Sequence, residues 1–292
     1  MASDFAMGRF HFLEKLLLVH GHWSYSRLAR MMLYFFYKNM AYATLLFWWQ
    51  LFNAWSGSNP IDGINLTIFN LVYTSLPIMV VGVADQDLLA PTLLREKHYY
   101  SQGRLSSLYT HWKFGLTVAD AIYQSCAVFF LSYGVYYESD VGVTEFGFVI
   151  NIVIVIVVSF HLAVETLHWT VVNHVLLWGS VAMVFVFNYV YTAIDSQQKF
   201  MDTYWIMFAV SSRPRFWFLC LLAPVVCLIP RVIGKVVEQE FFPSDVLRAR
   251  AAEKQRRSPT PSLVTPVETT EETHNHANNS TQSRTTVFHD PL

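Results

Sequence analysis

Six long apolar segments run through this chain of 292 residues, and they constrain its fold more than any other feature. About 20 apolar residues in a helix cross a bilayer core. Backbone groups in hydrocarbon must be satisfied within the segment, so such runs read as membrane helices. The spans are placed at 31–55, 64–84, 114–137, 146–164, 171–193 and 216–234. The expected fold is an all-α polytopic membrane protein, a six-helix transmembrane bundle over residues 31–237. Only 14% of residues are charged, against about 25% in soluble domains. Residues 1–30 mix polar and apolar side chains and read as a helix entering the first span. Residues 238–292 are rich in Ser, Thr, Glu and Asn, a composition too polar to fold alone, so a disordered tail is expected.

The distribution of Lys and Arg sets the orientation. Four precede residue 31, four lie in 85–113 and eight follow residue 230, whereas three fall in the alternate loops: Lys199, Arg213 and Arg215. Both termini are therefore expected in the cytosol, in the plasma membrane or an endomembrane. The run Leu16-Leu17-Leu18-Val19 is too short for a signal peptide, and the abrupt start suggests a piece of a longer protein. Cys126, Cys220 and Cys227 sit in apolar segments and read as free thiols. A net charge of −1 offers nothing to nucleic acid.

Lys38 stands inside the first span, in Tyr34-Phe35-Phe36-Tyr37-Lys38-Asn39. It lies about eight residues in, roughly 12 Å deep at 1.5 Å per residue. A lysine can snorkel toward the interface, but its stem recovers only part of that distance. A polar cluster or functional site is the favoured reading. Asn70, Thr74 and Ser75 on the second span are the expected partners, with Asn70 and Thr74 on one helix face and Pro77 bending the helix beside them. Spacing alone leaves two readings of that stripe open, a path for a polar headgroup and ordinary interhelical hydrogen bonding. Asp120 and Gln124 form another four-residue pair, with Asp120 expected to be hydrated. Asn151 reads as helix packing, and Glu165 with His168 as solvated or paired. The histidines show no ligand spacing, and no metal site is assigned. The sequon Asn65-Leu66-Thr67 lies too close to the bilayer for use. Ser258, Thr260 and Thr265 precede prolines and are candidate phosphorylation sites, where added charge would offset the basic patch of Arg248, Arg250, Lys254, Arg256 and Arg257.

A series of blocks resembles one family. Phe10-His11-Phe12-Leu13, Leu16 to Tyr25, Tyr34 to Asn39, Ile68-Phe69-Asn70 with Leu76-Pro77, Tyr123-Gln124-Ser125 and Glu165 to Thr170 look like successive blocks of the P4-type ATPases, the phospholipid flippases. Order and spacing match to about residue 240, and Ser26-Arg27-Leu28-Ala29-Arg30 looks most like the class V branch. The resemblance implies that residues 1–30 end the phosphorylation domain and form its stalk helix, and that the spans are membrane helices five to ten. It implies a lipid route at Lys38, Asn39, Asn70 and Thr74. It also implies a phospholipid substrate, a CDC50-type accessory subunit, and ATP with Mg2+ in the intact enzyme. The Asp-Lys-Thr-Gly-Thr phosphorylation motif and the Gly-Asp-Gly-x-Asn-Asp magnesium loop do not occur here. Phosphoryl transfer needs such groups, so the chain is expected to be inactive alone and to hold no cofactor. The alternatives are a short non-catalytic regulator of a flippase or its accessory subunit, and an unrelated six-helix channel or carrier. The latter would show internal repeats, and none is evident.

Overall fold

The computed structural model describes residues 6–194, 203–241 and 243–257. A short α1 (Phe12–Lys15) and a π turn (Leu16–Gly21) lead directly into α2 (His22–Phe52). No proline or glycine interrupts residues 22–52, so the helical ladder runs for 31 residues. That is roughly 47 Å of helix against a hydrocarbon core of about 30 Å. About a third of α2 must therefore project beyond the bilayer. The helix stops where Ala54 and Trp55 take left-handed backbone, with φ of 48° and 57°.

The next span is broken. It consists of α3 (Gly63–Ile68), a π turn (Phe69–Tyr73) and α4 (Ser75–Ala84). Pro77 supplies the cause: it has no N–H, and its ring crowds the carbonyl four residues earlier, that of Tyr73. The freed Tyr73 carbonyl accepts a hydrogen bond from the Ser180 hydroxyl on α9 (Val171–Ala193). The Thr74 hydroxyl donates to the Phe69 carbonyl at 2.8 Å and closes the widened turn.

Two short helices, α5 (Ala90–Arg95) and α6 (Ser101–Arg104), fill the connection to α7 (His111–Tyr136). Thr110 caps α7, its hydroxyl accepting from the Lys113 N–H at 3.3 Å. Then comes α8 (Val143–Glu165), mostly apolar and buried along nearly its whole length, as a helix enclosed by others must be. It packs against α2, α4, α7, α9, α10 (Ile206–Ser211) and α11 (Pro214–Phe241). At its start, a Cβ on Gly147 would overlap the Pro60 carbonyl, so only glycine lets that loop close. Within α11, Pro230 frees the Val226 carbonyl, which accepts from the Tyr123 hydroxyl of α7 at 3.3 Å.

Among the described residues, five helical stretches are long and apolar enough to cross a membrane: Gly63–Ala84, His111–Tyr136, Val143–Glu165, Val171–Ala193 and Pro214–Phe241. The first expected span, 31–55, starts within α2 and runs three residues past its end at Phe52, and α2 falls short of that measure. Its apolar surface comes from Tyr and Trp rings with polar tips, and it carries Lys38 and Asn39. Among the described residues there is no strand.

A second, smaller core sits at the His22 end of the bundle, where Val19, Leu88, Leu93 and Tyr99 pack together. Val246 and Ala249 of α12 (Asp245–Arg257) lie against it. Glu253 accepts from the Leu89 N–H at 3.3 Å, and Arg250 donates to the Leu167 carbonyl. This helix falls inside the stretch 238–292 expected to be disordered. Its Ala, Arg, Lys and Glu residues favour helix, and docking supplies the burial that its own polar sequence lacks. Residues 258–292 lie outside the described residues.

Removing the Ser180 hydroxyl would leave the Tyr73 carbonyl without its donor, at a cost of about 1–3 kcal/mol. Ser180→Ala is expected to lower the thermal unfolding midpoint in detergent, and Ser180→Thr to retain most of it. An unchanged midpoint in the alanine variant would show that the freed carbonyl finds another partner.

Candidate functional site

Lys38 points inward. Its side chain is 2% exposed, and Nζ donates to the Thr74 hydroxyl at 2.7 Å. The Phe35 ring lies 5.4 Å from the same nitrogen, within cation–π range. Thr74 is also buried, and Pro77 packs below it on the inner side of α4. A cation is thus held where the second span is broken. The widened turn places the Thr74 hydroxyl across from α2 and lets it both receive the ammonium and cap the Phe69 carbonyl.

Asn39 is half-buried and turns back on its own helix, Nδ2 donating to the Phe35 carbonyl at 3.0 Å. Asn70 is exposed on the outer side of the span. The sequence expectation put Asn70 and Thr74 on one face, which assumes about 3.6 residues per turn. The π turn at Phe69–Tyr73 lies between them and changes that spacing. The structure therefore brings Lys38, Thr74 and Pro77 together and leaves Asn70 apart. Ser258, Thr260 and Thr265 lie outside the described residues.

The asparagine that does enter the interior is Asn65. It is 1% exposed, and its Oδ1 accepts from Asn151 Nδ2 at 3.2 Å and the Tyr73 hydroxyl at 3.3 Å. Asn151 Oδ1 in turn accepts from the Tyr42 hydroxyl at 2.9 Å. A buried, bonded Asn65 cannot serve as a glycosylation acceptor. Glu165 is paired, with Arg231 Nη2 at 2.8 Å and Lys235 Nζ at 3.0 Å. Asp120 is mostly enclosed rather than hydrated and accepts from Gln124 Nε2 at 3.0 Å.

At the His22 end, two aspartates hold three segments together. Asp85 is fully buried, with its carboxylate accepting from Arg30, from the His168 N–H at 2.7 Å and from the Leu167 N–H at 3.4 Å. Its backbone carbonyl accepts from Arg27 Nε. Asp87 meets His22 Nε2 at 2.8 Å, the Ser26 hydroxyl at 3.1 Å and the Leu88 N–H at 2.9 Å. Burial alone would raise the Asp87 pKa, but the His22 contact, the Arg30 charge and the Leu88 N–H hold it below the ordinary value. Burial strips water from Arg27 and lowers its pKa, which the two aspartates only partly offset. The projecting part of α2, the loop after α4 and the turn after α8 are thereby tied at one point.

The model of the family described as phospholipid-translocating P-type ATPase, C-terminal, matches residues 1–244. The chain belongs to that family. It is 44% identical over 234 residues to the human phospholipid-transporting ATPase VB, covering 79% of this chain and 16% of the relative. Identity to the human phospholipid-transporting ATPase VD is 40% over 251 residues, 86% of this chain and 18% of the relative. The phospholipid-transporting ATPase 1 of Arabidopsis thaliana is 38% identical over 255 residues, 87% and 22% of the two chains. The chain thus spans less than a quarter of the length of these relatives, which include class V members.

For a C-terminal membrane part of a P-type ATPase, the aspartate pair is the contact that sequence reading missed. Asp85-Gln86-Asp87 stands beside an apolar segment and looks like an ordinary hydrated loop. A signal was present nonetheless: Arg27 and Arg30 project from α2 at helical spacing and need partners. The network around Gln124 was likewise read only as a pair on one helix.

Asp85→Ala strands Arg30 and two backbone N–H groups. Breaking a buried charge pair costs about 3–5 kcal/mol. The expected result is loss of folded protein, seen as a collapsed monodisperse peak on size exclusion. A variant that elutes and melts like the unsubstituted chain would remove Asp85 from its central place.

Proposed function

We propose that this chain forms the transport half of an ATP-driven phospholipid flippase, in which Lys38 and Thr74 line the route of the lipid headgroup. The observation that carries the reading is the buried ammonium on Thr74, beside the break that Pro77 makes in α4. A phosphodiester is anionic and costly to bring into hydrocarbon, and a fixed cation with hydroxyl partners offsets part of that cost. The break supplies backbone that can rearrange as the headgroup passes. Asn39 and Asn70, on the outer side of the same two helices, would contact a headgroup from the lipid side before it reaches Lys38.

The residues present do not fit ATP or Mg2+. Among the described residues, no group of three or more His, Cys, Asp or Glu side chains converges, and neither phosphoryl-transfer motif occurs in the chain. Energy input therefore belongs to other parts of the enzyme, and no step here runs through those groups. The stalk-like part of α2 would deliver the movement, with Asp85 and Asp87 passing it to the loop after α4. By sequence, sixteen of the 20 basic residues fall before residue 31, in 85–113 or after residue 230, which supports a cytosolic position for both termini. Family membership supports a CDC50-type accessory subunit as partner, testable by co-purification. Ser258, Thr260 and Thr265 remain proposed phosphorylation sites.

The test is a chimera in which residues 1–244 replace the matched segment of the human phospholipid-transporting ATPase VB. Phospholipid should stimulate its ATP hydrolysis. Lys38→Ala should raise the half-saturating lipid concentration roughly 10-fold or more, since a hydrogen bond to a charged group contributes about 1.5–3 kcal/mol. An unaltered lipid response in that variant would take Lys38 off the route.

A further inference from the structure

Two adjacent residues of α2 face different neighbours. Lys38 turns to Thr74 on the α4 side, whereas Tyr37 turns to α7 and α8. The Tyr37 ring is fully buried and stacks on His161, with centroids 3.7 Å apart and planes at 16°. Its hydroxyl donates to Gln124 Oε1. One turn earlier, the Tyr34 hydroxyl donates to the Val158 carbonyl of α8 at 3.2 Å, on the same side.

The chemistry of Gln124 fixes the direction of each bond. Its side chain is fully buried, and its Nε2 lies 3.0 Å from Asp120 Oδ1. A carboxylate only accepts, so the amide NH2 must face Asp120 and the amide oxygen must face Tyr37. The same NH2 lies 3.3 Å from His161 Nδ1, which is then an acceptor. Asp120 is backed by Arg231 at 3.9 Å, and Arg231 is held in turn by Glu165. Tyr37 is thereby seated in a polar relay built by α7, α8 and α11.

Nothing comparable holds Lys38. A single hydrogen bond from an ammonium on a flexible four-carbon stem defines helix rotation poorly. A planar ring, stacked on one side and bonded at its tip, defines it well. One residue step turns a helix by about 100°. A small loss of rotational register in α2 would move the ammonium away from Thr74 and toward lipid.

We propose that Gln124 and His161 are positioning residues for Lys38: by holding Tyr37 they set the rotation of α2 and aim the ammonium at Thr74. The inference rests on the headgroup-route reading above. It extends the site to two residues, on α7 and α8, that meet α2 at Tyr37 (His161 also at the Tyr34 ring) and not at Lys38.

The experiment is a double-variant cycle in the chimera, reconstituted in vesicles and titrated with phosphatidylcholine, phosphatidylethanolamine and phosphatidylserine. The readout is the half-saturating concentration of the most stimulating lipid, compared with the maximal rate. Gln124→Leu is expected to raise that concentration at least fivefold, with a smaller change in maximal rate. Lys38→Ala added to Gln124→Leu should cause little further rise, because the lysine is already misaimed; independent sites would multiply instead. His161→Phe keeps the stacked ring and should stay within twofold of the unsubstituted chimera, whereas His161→Ala should follow Gln124→Leu. If Gln124→Leu does not fold, Tyr37→Phe completes the same cycle with ring volume preserved. Multiplicative effects, or a loss confined to maximal rate, would overturn the positioning role and leave the route intact. A Lys38→Ala chimera that responds normally to lipid would overturn both.

Discussion

A polar group inside hydrocarbon finds a partner or raises the energy of the fold, and most of this bundle follows from that constraint. Pro77 and Pro230 each release a carbonyl, and each released carbonyl meets a hydroxyl from a neighbouring helix, Ser180 in one case and Tyr123 in the other. Lys38 meets Thr74. Asn65, Asn151, Tyr42 and Tyr73 satisfy one another across three spans. These contacts do more than repair defects. Apolar side chains pack against lipid nearly as well as against each other, so in a membrane they say little about which helices should adjoin. The hydrogen bonds of the prolines, the lysine and the asparagines choose the neighbours.

The His22 end obeys a different rule. There charge takes over from hydroxyls. Asp85 and Asp87 gather Arg30, Ser26 and His22 from α2 and two backbone N–H groups from the turn after α8. With a buried carboxylate at each point, the three segments are rigidly joined. The end of α2 is therefore coupled to α4 and α8 together and not through a loose loop. The docked α12 adds a further strap over the same core through Val246, Ala249 and Glu253.

Membrane helices were legible in the sequence because a run such as Ile150 to Val158 has no other stable home. Lys38 was legible because a lysine at that depth is conspicuous, and the expected partnership with Thr74 follows from the structure as well. Asn70 was misplaced for a definite reason. The expectation used α-helical periodicity across Phe69–Tyr73, and a proline four residues downstream had already forced a wider turn. Asp85 and Asp87 escaped notice because a charged residue next to a span is ordinary, and only the arginines 55 and 58 residues before Asp85 reveal the need for them. The α12 helix was hidden by the opposite effect: its composition is polar, and its order comes from the surface on which it lies.

The two faces of α2 also bear on which movement the helix can make. Sliding along its axis would have to break Tyr34 on Val158, Tyr37 on Gln124 and Tyr42 on Asn151 at once, since all three tether α2 to α7 or α8 within a little over two turns. On the other side it is joined to α4 by Lys38 alone among these polar contacts, at the point where α4 is already broken. Within the bundle the polar tethers of α2 thus concentrate on the α7–α8 side, and Lys38 is the one that crosses to the broken α4. Under the proposed headgroup route, that division sets the cation beside the broken helix and the tethered helices behind it.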